Sequence, residues 1–186
     1  MFLRTLLLPG LLALWLALPP HAGPPRRITL FPVTLNDVCN QPMSPELPAR
    51  IKLLTSALRE RLTAACGYQV MPMDSDTDTV SDNGPDYLYA HPEIAVARAG
   101  AEAEWVVVPR LNRASPWVTD LQADVLRARD TTMVSNRIVE VKGIELGPDL
   151  AAKLIERGAA WMADQLSQAI EHASGSAGPE LRRCPA

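Results

Sequence analysis

Two phenylalanines, three histidines and three cysteines are all that the 186 residues contain of those types, and aromatics make up 5% of the chain. Each scarcity removes a class of chemistry. No pair of histidines has ligand spacing such as His-x-x-x-His. Of the three, His21 precedes the folded region, His91 sits before Pro92 at a helix start, and His172 lies near a helix C-terminus, where a cation is favoured. Gly-x-Ser-x-Gly does not occur, and neither does a phosphate-binding glycine loop. Asp120 and Asp124 share a strand face, as alternate polar residues on any wet face do. The chain is slightly acidic, with Arg26-Arg27 and Arg182-Arg183 its basic pairs, so nucleic acid is not expected as a partner. No catalytic residue and no cofactor is assigned.

What is present is a patterned stretch from Glu104 to Gly143. Trp105 to Val108 is a short, β-branched apolar run ended by Pro109, which a helix could not pass. Asn112 to Pro116 supplies turn residues. From Trp117 the pattern alternates: Trp117, Thr119, Leu121, Ala123 and Val125 share one face, and Asp120, Gln122 and Asp124 the other. Arg129 to Thr132 breaks the chain again, and Met133 to Lys142 forms a third run, with Val139 and Val141 opposite Asn136, Glu140 and Lys142. Short connections between successive strands predict an antiparallel meander.

Around this stretch, residues 1–22 have the layout of a signal peptide: an early Arg4, a short apolar run and a Pro-rich end. Residues 23–27 read as a linker, 28–173 as a single α/β domain and 174–186 as a flexible tail. The chain is expected to be periplasmic or secreted. No cysteine follows the apolar run to carry lipid, and no stable membrane span is expected after cleavage. Ile28 to Leu35 predicts a strand, with Pro32 near an edge or strand end. Ser44, Pro45 and Glu46 suit a helix start, and Ile51, Leu54, Leu58 and Leu62 form its apolar face up to Gly67. Tyr68 to Met71 is a second short strand and His91 to Ala99 a short helix. A last helix follows Pro148, with Leu150, Leu154, Trp161, Met162, Leu166 and Ile170 as its buried line. The expected fold class is α/β (α+β): one mixed sheet with a C-terminal three-strand meander, covered by two long helices and one short helix.

Three sets of residues are candidates for a site. Asp74, Asp76, Asp78 and Asp82 have part of the spacing of a calcium loop, but Thr79 stands where its glycine belongs and Pro85 where its glutamate belongs; a solvated loop is the plainer reading. Arg110, Asn112, Arg113 and Pro116 could present a partner surface on a solvated turn. Cys39, Cys66 and Cys184 permit three disulfide pairings in an oxidising compartment; Cys39–Cys184 is preferred, tying down the tail, with Cys66 buried. Trp105, Trp117 and Trp161 read as core before they read as a pocket.

The segments ITLFPV, GYQVMPM, HPEIAVARAGAEAEWVVVPRL and IVEVKG, in this order around the long helix, resemble an uncharacterised family of bacterial secreted domains. More remotely, the order of elements is similar to the N-terminal domain of TolB and to the α/β domains of CsgG and LpoB. The resemblance implies an envelope protein that works through protein contacts. Together with export and the missing catalytic set, it leads to the expectation of a non-enzymatic periplasmic accessory protein with an unknown envelope partner. A periplasmic small-ligand or divalent-metal binding protein is the alternative.

Overall fold

A computed structural model describes residues 25–73 and 87–175. Residues 1–24, where a signal peptide is expected, the acidic loop 74–86 with Asp74, Asp76, Asp78 and Asp82, and residues 176–186 with Cys184 lie outside the described residues.

The chain runs β1 (Arg27–Leu30), β2 (Thr34–Asp37), α1 (Leu47–Ala64), β3 (Gln69–Pro72), α2 (Tyr87–Ala90), α3 (Pro92–Arg98), β4 (Trp105–Arg113), β5 (Thr119–Arg127), β6 (Thr132–Glu140) and α4 (Pro148–Ala173). The strands form one mixed sheet in the order β3-β1-β4-β5-β6, with β2 also on β4. β3, β1, β2 and β4 are parallel, and β4, β5 and β6 form the antiparallel meander that the alternation predicts. The expected mixed sheet is therefore the observed one, and its crossover from β1 through α1 to β3 follows from the parallel pairing.

β1 and β2 are one strand interrupted by a bulge. Leu30 faces Val107 and Thr34 faces Arg110, so four steps on one side meet three on the other. The extra residue reverses the alternation. Ile28 and Leu30 before it, and Val33 and Leu35 after it, thus all reach the same core. The bulge also explains how Pro109 sits in the central strand. The carbonyls of Val107 and Arg113 accept bonds from Phe31 and Val38, so odd residues of β4 point their polar groups at the β1–β2 flank. Pro109 is odd and faces the break, where its missing N–H forfeits no ladder bond.

α1 and α4 cover one face. Leu54, Leu58 and Leu62 pack there with Val107, Leu121, Val125, Ile155, Met162 and Leu166. α2 and α3 cover part of the other face, where Phe31, Leu88, Ala95, Val106 and Val108 meet. α1 starts at Leu47, later than the Ser44 signal suggested; the Ser44 amide is held by Glu145 and its carbonyl accepts from Leu47. Gly158 brings α4 close to the sheet: a Cβ there would stand 2.8 Å from Cγ2 of the buried Val141. Alanine favours a helix over glycine by about 1 kcal/mol, but crowding a stiff β-branched side chain costs about 1–3 kcal/mol. Thermal denaturation should show Gly158→Ala destabilised by about 1 kcal/mol. In a Val141→Ala background the same change should stabilise.

Candidate functional site: the loop pole held by Arg113

Parallel β2 and β4 end together at Asp37 and Arg113, and β5 begins and β6 ends beside them. Three connections meet at this pole: residues 38–46, 114–118 and 141–147. Arg113, 0% exposed, ties them. Its Nε and Nη2 donate to Glu145 Oε1 and Oε2 at 2.5 and 3.3 Å. Nη1 donates to both Asp37 oxygens at 3.1 Å, and Nη1 and Nη2 reach the Gln41 and Pro42 carbonyls at 3.0 Å. Hydrogen bonding to Glu145, more than that to Asp37, raises the guanidinium pKa further against the opposing effect of burial. The Glu145 carboxylate also accepts the Ser44 amide, Arg50 caps the Ile144 carbonyl, and Gly143 N–H donates to the Trp117 carbonyl. Thr119 and Val141 close the last gap with mutual bonds.

This inner lattice displays apolar side chains. Val38 (65% exposed), Met43, Trp117 (64% exposed), Val118 and Leu150 all project from the connections or the first turn of α4. An exposed aromatic among apolar neighbours, on loops held from beneath, has the character of a contact surface.

Several expectations are corrected here. Arg113 is no solvated turn residue: β4 continues to Arg113 because β2 supplies a parallel partner for Arg110 to Arg113. Its side chain supports the surface and does not form it. Pro116 lies in the pole loop beside Trp117. Arg110 and Asn112 are half-buried on the other sheet face, away from the helices α1 and α4. Trp117 precedes β5 and is exposed, and Trp161 and Leu150 lie on the outer side of α4, with Arg157 over the Trp161 ring at 4.7 Å. Of Trp105, Trp117 and Trp161, Trp105 alone is core.

Arg110 and Asn112 belong to a row of amides that crosses the sheet. Asn36 donates to Asn112 (3.0 Å), Asn112 to Gln122 (2.9 Å) and Gln122 to Asn136 (3.1 Å), and Arg110 also donates to Gln122 through Nε and Nη2. Asn136 donates onward to Asp124 and to the Tyr89 hydroxyl. The Arg110 guanidinium lies 3.8 Å above the Tyr89 ring. Burial raises the Asp124 pKa although Asn136 and Tyr89 bond to it, and burial with the adjacent Asp124 charge pushes the Tyr89 phenol well above its usual range. The strand parity read from sequence already placed Gln122, Asp124 and Asn136 on this face; Asn36 and Tyr89 carry no such signal.

At the opposite end of the sheet, a cleft of about 790 Å³ is lined by Arg26, Arg27, Trp105, Arg127 and Arg129, with Glu102 and Glu104. Its arginines are matched within the chain: Arg27 to Glu102, Arg127 to Asp130 and Arg26 to Glu171. Among the described residues, no three His, Cys, Asp or Glu side chains gather as ion ligands, and no helix is long and apolar enough to cross a membrane.

The disulfide expectation is also corrected. Cys39 is a free thiol and Cys66 is the disulfide-bonded one, so the Cys39–Cys184 pairing is not made. The geometry gives the reason. α4 ends beside Arg26 and Tyr68, which bond Ser174 and Ser167, and Cys66 immediately precedes that corner. Cys39 lies at the loop pole, at the other end of the sheet.

No protein-family model matches the chain, and no curated protein does. Solved structures with a similar fold include TolB from Acinetobacter baumannii, 11% identical over 81% of this chain and 29% of that one, at a TM-score of 0.44. Lipoprotein GNA1162 from Neisseria meningitidis is 15% identical over 76% of this chain and 99% of that one, at 0.47. The LpoB C-terminal domain from Salmonella enterica is 10% identical over 66% and 87%, at 0.40. TolB and LpoB, named above from the order of elements, are both among the structures found.

Proposed function

We propose that this domain is a non-enzymatic accessory protein of the bacterial envelope, acting in the periplasm by binding another protein through its loop pole. The observation that supports this reading is the group of exposed apolar side chains around Trp117, mounted on connections that Arg113 holds fixed. A rigid base lowers the ordering cost of binding, and a central tryptophan is the side chain that most often dominates a contact. A photo-reactive residue at position 117 should give one discrete adduct in envelope preparations, and the same residue at Arg129, on the far end, should not. With the partner identified from that adduct, Trp117→Ala should weaken binding by about thirtyfold or more, with the melting temperature unchanged. Identical adduct patterns from both positions would remove the pole from consideration.

The second reading, a small-ligand or divalent-metal binding protein, has the Trp105 cleft in its favour, since that cleft has the size of a ligand site. Calorimetry with divalent ions and small anions separates the two readings.

A further inference from the structure

Among the described residues, β6 is the outer strand of the meander and pairs on one flank, with β5. The bond from Val141 N–H to the Thr119 carbonyl sets its parity: from Ser135, above the register shift, the odd residues turn their backbone groups to β5. Asn136, Ile138 and Glu140 therefore turn theirs outward. The strand holds no proline, and Ile138 is 62% exposed. An edge of this length with open polar groups is a template for another strand.

We propose that β6 pairs antiparallel with β6 of a second copy of the chain, about a two-fold axis through Ile138, so that one sheet runs through both copies. The register follows from the side chains. The shift between Val125 and Leu126 breaks the ladder near Val134, so its regular part spans Ser135 to Val141, and Ile138 is its centre. An axis on Ile138 sets isoleucine against isoleucine, Asn136 against Glu140 and Arg137 against Val139. An axis on Arg137 or Glu140 sets like charges directly opposite, which is destabilising, and an axis on Val139 sets Ile138 against Glu140. An axis on Asn136 carries the pairing into the irregular segment. A self-complementary strand is what a two-fold interface requires. The pairing directs the two loop poles to opposite ends of the dimer, leaving both free.

The test uses sedimentation of the exported chain over a concentration series. The wild type should pass from monomer to dimer. Ile138→Pro removes an outward N–H and no bond to β5, and should raise the dimer dissociation constant about tenfold or more with unchanged circular dichroism. If that variant fails to fold, Ile138→Lys decides the matter by placing two ammonium groups on the axis. In a Cys39→Ser background, a short bis-maleimide should link two copies of Ile138→Cys and not of Thr132→Cys. A wild type that stays monomeric throughout, a dimer as tight in the lysine variant, or equal linking at 132 and 138 would each overturn the proposal.

Discussion

Arg113→Met should lower the unfolding free energy by about 3–5 kcal/mol, because removing one member of a buried ion pair strands the others without compensation. For a domain of this size that corresponds to a fall in melting temperature of roughly 10 °C. Glu145 would keep the Ser44 amide and lose its two charged donors, while the Gln41 and Pro42 carbonyls would lose theirs. Glu145→Met added to Arg113→Met should restore more than half of the loss, since well-packed apolar replacements of a buried ion pair are often neutral or better, and Asp37, the remaining charge, is 31% exposed and can be hydrated. Calorimetric unfolding of the single and double variants measures both. A loss below about 1 kcal/mol in the single variant, the scale of an exposed pair, would mean that the loops are held by their backbone bonds alone.

The second large effect concerns the cysteines. Reduction of the Cys66 disulfide, or Cys66→Ala, should cost about 2–5 kcal/mol, the usual range for losing a native disulfide from a small domain. Cys39→Ala should change stability by less than about 0.5 kcal/mol, because Cys39 is a free thiol in a partly exposed loop. Denaturant unfolding with and without reductant distinguishes the two positions. A reductant-insensitive midpoint in the wild type would contradict the pairing of Cys66.

The same two residues show where sequence reasoning stopped. Alternation from Thr119 to Val125 sufficed to place β5 and its faces, because a half-buried strand writes its period into the chain. Arg113 has no period to betray it. Asn112 to Pro116 has turn composition, and what makes Arg113 a buried strand end is Asp37, 76 positions away, and Glu145, 32 positions away. The exposure of Trp117 and Trp161 was hidden for a related reason: hydrophobicity says that a side chain gains from burial, and only the packing of α4 and the pole loops says whether there is room. For the cysteines, spacing was silent about which end of the sheet the last helix would reach. The wet strand face was the part of the candidate surfaces most open to reading, because parity alone assigns it.

The bulge between β1 and β2 has a mechanical consequence. Pro32 lies in it and Pro109 opposite it, so the seam along β4 is discontinuous at its midpoint. β2 thereby shares its fate with the Arg113 cluster and not with β1 and β3, whose bonds stop short of the gap. Loss of the Arg113 cluster is therefore expected to expose the β2 amides to hydrogen exchange before those of β1 and β3.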